Sequence, residues 1–303
     1  MYSRSSGLPS ATLTQGGKSV ASVPTVSVIT ISLNDLHGLR RTVDSVRAQR
    51  YAGHIEHIVI DGGSGVEVVE YLSSCTPSFA HWQSEPDGGR YDAMNRGIAH
   101  ATGDLLWFMN SGDRFSDPDA IAEVVEAISD LGPMRDIWGY GLVYLDSLGR
   151  LQGPMPFNLR KFLSGFYTVP HQAAFFGAAL VNKLGGYDLD VGLLADQEFI
   201  LRSALLQEPI TIRRLVCRFD TSGAGSAITS REAFGHLRRF WELHDRYPFG
   251  RRTSLAYLRF CELVIPPMQN LLVQLLKPPS RQSKSPSDLV VYGRKNRSSR
   301  SPR

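Results

Sequence analysis

The segment from Glu85 to Asp113, EPDGGRYDAMNRGIAHATGDLLWFMNSGD, restricts the fold more than any other part of the chain. Its opening Pro86-Asp87-Gly88-Gly89 cannot continue a helix, and so it delivers a fresh helix start near Arg90. From Tyr91 to Ala101 the residues Ala93, Met94, Gly97, Ile98 and Ala101 fall on one helical face, and Gly103 stops the pattern. Leu105 to Met109 is an unbroken apolar run of the kind buried on both faces of a parallel sheet. It empties into Asn110-Ser111-Gly112-Asp113, a polar turn at the carboxyl end of a strand. Ligand crevices of open α/β sheets lie outside such ends, so a site is expected here.

The chain before this segment has the same grammar. Thr25 to Ser32 is β-branched and extended, and Asn34-Asp35 cap a helix from Leu36 to Gln49. His57 to Asp61 is a second strand, leading through Gly62-Gly63-Ser64-Gly65 into a helix that ends near Tyr71, and Phe79 to Trp82 is a third. Alternation of this kind with short Gly-rich connections argues an α/β fold, a mostly parallel central sheet flanked by helices. Beyond Asp113 the expectations are a helix from Pro118 to Ser129, strands at 136–144 and 148–153, and a helical mixture at 157–167. Pro170 to Phe176 is expected as a strand, Leu193 to Gln207 as a helix and Thr211 to Phe219 as a strand. The organisation expected is a flexible leader at 1–23, an α/β domain at 24–230, a helical extension at 231–279 and a disordered basic tail at 280–303.

The net charge of +4 does not imply nucleic acid, because the excess sits in the far C-terminal RQSKSPS and GRKNRSSRSPR. Cys75, Cys217 and Cys261 have no metal-like spacing, which suits free buried thiols in a reducing compartment. No apolar run reaches the roughly 18 residues of a membrane span. The nearest, Ser254 to Lys277, is interrupted by Arg259, Glu262 and Pro266-Pro267, and is expected as two short amphipathic pieces. Met1 to Val23 lacks an apolar core of signal-peptide length, so the expected location is cytoplasmic. Arg238-Arg239, Arg251-Arg252 and Arg259 alternate with Phe240, Trp241, Leu255, Tyr257 and Phe260, a pattern that suits a helix lying at the inner face of a membrane.

Three clusters follow strand ends. Asp61 is a carboxylate beside glycines that let a ligand approach the backbone. Asp87, Arg90, Asp92, Asn95 and Arg96 add mixed charge on the second loop. Asp113 with Asn110 offers an oxygen-only site that suits a hard cation, Mg²⁺ or Mn²⁺, which would neutralise a diphosphate. A dinucleotide-dependent dehydrogenase is excluded by the absence of GxGxxG after the first strand, and a serine hydrolase by the absence of a GxSxG elbow.

The ordered set PTVSVITISLN, HIVIDGGSG, EPDGGRYDAMNRGIAHATGDLLWFMNSGD, PHQAAFF and ADQEFILR resembles an inverting family-2 glycosyltransferase of the GT-A fold, nearest to the subgroup that assembles exopolysaccharide and cell-surface glycolipid. The resemblance covers Pro24 to Phe219. It implies a nucleotide-sugar donor, a divalent metal and single-displacement transfer to a hydroxyl of a glycan or lipid-linked acceptor. Ser32, Asn34 and Asp61 would then meet the nucleoside, with Asp87 near the base, while Tyr91, Asp92 and Asn95 line the donor pocket. His171 would bind the donor diphosphate or the acceptor. Asn110 to Asp113 fall at the metal-binding cluster and Asp196 at the catalytic base, with Glu198 as its rival. Asn110 and Gly112 stand where acids are common, leaving Asp113 as the charged ligand, and Arg90 is placed to compensate by touching phosphate. A non-catalytic sugar-nucleotide or glycan-binding protein of the same fold is the alternative that this thinned cluster raises.

Overall fold

Strand β1 (Val26–Ser32) is buried along its whole length, and it forms the axis of the parallel half of the sheet. The computed structural model describes residues 23–153, 156–165, 167–220 and 230–276. Asp35 caps α1 (Leu36–Arg47) by accepting from the Gly38 N–H at 2.8 Å. Then follow β2 (Ile55–Asp61), α2 (Val66–Ser74), β3 (His81–Ser84), α3 (Arg90–His100) and β4 (Leu105–Phe108). Their pairings β3-β2, β2-β1 and β1-β4 are all parallel, which is the alternation expected from the sequence.

The second half is mixed. After β5 (Arg114–Phe115) and α4 (Ala120–Ile128) come β6 (Trp138–Leu145), β7 (Arg150–Gln152), α5 (Leu159–Leu163), β8 (Ala174–Gly177), α6 (Ala178–Leu184), α7 (Ala195–Leu206) and β9 (Ile210–Phe219). The nine strands form one sheet in the order β3-β2-β1-β4-β8-β6-β9-β5, with β7 on β6. β8 runs antiparallel to both β4 and β6, so β4 and β6 point the same way, and β9 is parallel to β6. The expected strand from Pro170 to Phe176 is corrected: His171–Ala173 is a tight helical turn, and only Ala174 onward is strand. Trp107 Nε1 donates to the Gln172 carbonyl at 2.8 Å, a buried bond that holds this turn out of the ladder.

Period-two alternation in β4 feeds two cores. Leu106 and Phe108 join Ile29, Ile58, Phe176 and Phe199 beneath α3, α6 and α7, whereas Leu105 and Trp107 join Val28, Ile121, Val124 and Phe175 on the α4 side. Trp138 and Tyr140, on one face by their spacing, are fully buried in the first of these. Glu56 fastens the bottom of the sheet. It accepts from Ser27 Oγ, from Thr102 N–H at 2.8 Å and from Thr102 Oγ1 at 2.9 Å, tying β1 and β2 to the α3–β4 turn.

Two C-terminal helices, α8 (Ser230–His244) and α9 (Arg251–Leu276), pack on the same core. Phe240 and Trp241, expected on an interfacial face, are instead buried with Leu163, and Trp241 Nε1 donates to the Leu163 carbonyl at 2.6 Å. The expectation of two short pieces near Pro266-Pro267 is also corrected, since α9 runs unbroken through the pair. Proline's fixed φ is itself helical, although each ring removes an N–H donor and crowds the carbonyl four residues before it. No described helix is long and apolar enough to cross a membrane. Cys75, Cys217 and Cys261 are free and buried. Apart from Val23, the leader lies outside the described residues, as does the basic tail.

Candidate active site

The topology brings five chain segments to one sheet edge. β1 ends at Ser32 opposite Asp61 of β2, and β4 runs on through Met109 and Ser111, whose N–H groups donate to Ile29 and Ile31 carbonyls at 2.9 Å. Because β8 is antiparallel, the turn that precedes it delivers His171 to the same edge, and β9 arrives there at Asp220.

The nucleoside candidates divide into groups already engaged and groups left open. Asp61 is fully buried, and its two oxygens accept from Gly63 N–H at 3.1 Å, Ser64 N–H at 2.8 Å, Ser64 Oγ at 2.5 Å and Ser84 Oγ at 2.7 Å. As folded it shapes the Gly62–Gly65 loop. Asn34 takes a left-handed φ of 53° and donates its N–H to Ser64 Oγ at 2.6 Å, which ties the β1 loop to that of β2. Asp87 accepts from Gly89 N–H at 2.8 Å and lies against Gly62, where a Cβ would come within 3.0 Å of its Oδ2. Ser32 Oγ, by contrast, is buried without a hydrogen-bond partner.

On α3, Asp92 accepts from Gly88 N–H at 2.8 Å and pairs with Arg96 at 2.9 Å, so both serve the loop and the helix start. Asn95 is taken up by backbone: its Nδ2 donates to the Tyr187 carbonyl at 2.9 Å and its Oδ1 accepts the Tyr187 N–H at 2.7 Å. Asn95 thereby clamps the backbone at Tyr187 from the helix that faces the crevice. Arg90, half-buried at the first position of α3, lies near enough for its charge to act on the Tyr91 hydroxyl.

Tyr91 opens a chain of polar contacts. Its hydroxyl donates to the Leu193 carbonyl at 2.9 Å and lies 3.2 Å from Asp196 Oδ1. Asp196 Oδ2 accepts from Gln197 Nε2 at 2.9 Å and faces His171 Nδ1 at 3.4 Å, while His171 Nε2 stands 3.2 Å from Asn110 Nδ2. A proton on His171 Nδ1 satisfies both neighbours, leaving Nε2 to accept from the Asn110 amide. Burial pushes the Asp196 carboxyl up, but His171 and Gln197 outweigh it and hold the group below the usual carboxylate range. Glu198 meets different surroundings: 1% exposed, it accepts from Arg202 Nε at 2.7 Å and lies 2.9 Å from His244 Nε2 of α8. The geometry thus separates the two acids, one at the crevice and one inside a helix-to-helix ion cluster.

The orientation that His171 imposes on Asn110 leaves Asn110 Oδ1 buried and without a partner, and Asp113 Oδ2 is in the same condition. Asp113 is 1% exposed, and burial drives its carboxyl up to about 8 against the Asp220 N–H and the nearby Gln172 amide, which favour the charged form. Unpaired buried acceptors are rare enough to require an explanation, and a cation is one that both share. No group of three His, Cys, Asp or Glu side chains among the described residues is arranged for a metal. Two protein oxygens nevertheless suit Mg²⁺ or Mn²⁺, which take one or two carboxylates and complete the shell from phosphate and water.

Sequence reasoning missed Thr42, Arg41 and Asp220. Thr42 Oγ1 donates to the Asp113 carbonyl at 2.7 Å and accepts the Gly112 N–H at 3.0 Å, fixing the Asn110–Asp113 turn on α1. Its one legible signal was its place about two turns beyond the Asp35 cap. Beside Asp196, the Val169 backbone is held at both ends by the Gln197 amide, at 3.1 and 3.0 Å. This anchors one wall of an open cleft of about 530 Å³ whose lining includes Arg150, Gln152, Tyr167 and Thr168.

Residues 27–180 match the model of the family described as Glycosyl transferase family 2. An uncharacterised glycosyltransferase of Mycobacterium tuberculosis (strain ATCC 25618 / H37Rv) is 66% identical over 241 residues, 79% of this chain and 92% of that protein. A PGL/p-HBAD biosynthesis glycosyltransferase of Mycobacterium bovis (strain BCG / Pasteur 1173P2) is 32% identical over 59% of this chain and 69% of its own. Among solved structures, the mannosyltransferase PcManGT of Pyrobaculum calidifontis, in complex with GDP-Man and Mn²⁺, aligns at a TM-score of 0.59 and 22% identity over 84% of this chain and 75% of that one. TarS of S. aureus aligns at 0.55 and 13% identity over 71% of this chain, which spans 39% of that longer protein. At these identities the structural neighbours speak for a GT-A-like fold.

Proposed function

Because the chain belongs to glycosyl transferase family 2, we propose that it moves a sugar from a nucleotide-diphosphate donor to a hydroxyl of a glycan or lipid-linked acceptor, inverting the anomeric centre, with Asp196 as general base. Family membership makes it a transferase rather than a sugar-binding module of the same fold. The observation that carries the mechanism is the Asp196 carboxyl, held below its usual range between Tyr91, His171 and Gln197 at the edge where Asn110 and Asp113 leave acceptor oxygens open. An ionised acid at the first turn of α7 is further favoured by the helix dipole.

Asp196 takes the proton of the acceptor hydroxyl as that oxygen bonds to the anomeric carbon, and the nucleoside diphosphate leaves from the opposite face with the electron pair of the broken C–O bond. A divalent cation held by Asp113 and Asn110 would neutralise the charge of the leaving diphosphate. Ser32 Oγ, with the loops organised by Asp61, Asn34 and Asp87, faces the nucleoside, while Arg90 and His171 are available to phosphate or acceptor. The cleft beside Gln152 and Tyr167 suits the acceptor, since its wall is fastened to the residue next to the base. A complex with GDP-Man and Mn²⁺ in one neighbour, and one with UDP-GlcNAc in another, support a nucleotide-sugar donor. A relative named for PGL/p-HBAD biosynthesis supports a glycolipid acceptor in cell-envelope assembly.

Asp196→Asn is the test. Donor affinity, read by thermal shift, should stay at the parental level while transfer falls by about 10² to 10⁴. Near-parental turnover would end the assignment. A saturating donor, at about 100 times its dissociation constant, should add about 2.7 kcal/mol to parental stability, so a screen of UDP-, GDP- and dTDP-sugars identifies the nucleotide.

A further inference from the structure

Asn110 Oδ1 and Asp113 Oδ2 together bring one carboxylate to a doubly charged ion, and the strand register shows what stands where a second would be. β5 and β9 pair antiparallel, with Arg114 opposite Arg218 and Phe115 opposite Cys217. Continued two residues toward the crevice, the same register sets Gly112 opposite Asp220. Gly112 holds a φ of 93°, and a Cβ built on it would lie 3.1 Å from Asp220 Cβ, 3.2 Å from Asp220 Oδ2 and 3.4 Å from Arg41 Nη2. The space that a side chain at 112 would enter is filled by the Asp220 carboxylate. The two acids are directly joined, because the Asp220 N–H donates to Asp113 Oδ1 at 2.9 Å.

Asp220 forms an ion pair with Arg41 of α1. The contact is made by Arg41 Nη2, and Arg41 Nε is buried with no hydrogen-bond partner. The two side chains are 38% and 21% exposed, which keeps the pair within reach of an incoming ion, while the unpartnered Asp113 Oδ2 lies deeper. Two carboxylates and a neutral amide oxygen are a fitting protein share for Mg²⁺ or Mn²⁺, with diphosphate and water completing the shell.

We propose that Asp220 is the second carboxylate of the cation site, supplied across the β5–β9 pair in place of the acid that position 112 lacks, and that Arg41 is the counter-charge it carries until the cation arrives. The proposal rests on the reading of this edge as a site for a cation-bound diphosphate. Arg41 and the cation then compete for one carboxylate, so the two residues have opposite effects on metal affinity. A brace that merely held the fold would give effects of the same sign.

The experiment uses the full chain with Mn²⁺ alone as probe, free ion being counted by its electron paramagnetic resonance signal, and melting curves recorded for each variant. Asp220→Asn keeps the backbone donor to Asp113 and should weaken Mn²⁺ binding about tenfold or more, as Asp113→Asn should. Arg41→Gln should tighten it several-fold. Parental Mn²⁺ affinity in folded Asp220→Asn overturns the proposal, as does weakening in Arg41→Gln. If the parent binds a UDP- or GDP-sugar fully in EDTA and takes up no Mn²⁺, this proposal falls and the donor reading stands. If Mn²⁺ binds with the expected variant pattern but no nucleotide sugar does, the site stands and the transfer reading falls.

Discussion

Glu198 and Asp196 stand two positions apart on one helix, and their surroundings assign them different work. Glu198 is pushed up by burial, but His244 and Arg202 outweigh this and hold its carboxyl below the ordinary value of 4.5. A lowered folded value contributes stability that is present above the unfolded value and lost as pH falls through the folded one. Glu198→Gln should therefore lower the urea midpoint at pH 7 and make it less sensitive to acid below about 4.5, while turnover per folded molecule stays near parental. The neutral side chain leaves Arg202 and His244 without their shared charge, a loss of about 3 kcal/mol for a buried pair. Should activity vanish at unchanged stability, the base lies at Glu198 and the assignment moves. Asn110 and Asp113 were expected from their place at a strand end and Asp196 from the family resemblance, and the structure brings Asn110 and Asp196 together through His171. Asp61 was legible as a polar residue at a strand end and Asn95 as one on the helix that follows the second loop, but sequence does not reveal that backbone N–H groups already occupy Asp61 and that Tyr187 occupies Asn95. Asp220 and Arg41 were invisible, since their meeting depends on the register of a two-residue strand.

Helix α3 owes its position over the parallel strands to a missing side chain. A Cβ at Gly97 would collide with Ile29 Cγ2 of β1, so only glycine lets the helix come this close. Gly97→Ala gains about 1 kcal/mol in helix propensity, against about 1 to 3 kcal/mol for overpacking a closed core. The balance should be a loss of about 1 kcal/mol in urea, and because α3 also carries Tyr91, donor affinity should fall with it. In the double variant Ile29→Ala/Gly97→Ala the second change should cost less than it does alone, by about 0.5 kcal/mol or more. A Gly97→Ala variant more stable than the parent would show that the helix has room to shift. Elements up to β4 were readable because strand and helix periods alternate with Gly-rich stops. The stretch from Pro170 to Leu184 was not: PHQAAFFGAALVNKL is apolar almost throughout, so neither period shows. A turn and the start of a four-residue strand were compressed into the expected Pro170–Phe176 strand, and the short helix α6 that follows was not expected at all.

At the scale of the whole molecule, the open question is what α9 does with the face it turns away from the catalytic core. Leu258 and Cys261 are buried, and with Phe240 and Trp241 they account for the apolar half of the pattern as packing. The opposite stripe, Arg252, Ala256, Arg259, Phe260 and Leu263, falls at helical spacing and is exposed, with Phe260 at 62% and Leu263 at 76%. Two large apolar side chains flanked by arginines fit an anionic bilayer surface, where each basic residue contributes about 1 kcal/mol and the apolar tips enter the headgroup boundary. Such an orientation would hold the cleft near a lipid-linked acceptor. Full-length protein should pellet with anionic vesicles at low salt, release as salt rises and ignore neutral vesicles. Phe260→Ser/Leu263→Ser, which touches no residue of the crevice, should cut pelleting at least about tenfold, since burying each such side chain is worth about 1.5 to 3 kcal/mol at most. Its transfer to a short soluble acceptor should be unchanged, while transfer to a vesicle-borne acceptor falls. Equal pelleting with neutral and anionic vesicles, or a double variant that still binds like the parent, would remove the membrane from this face.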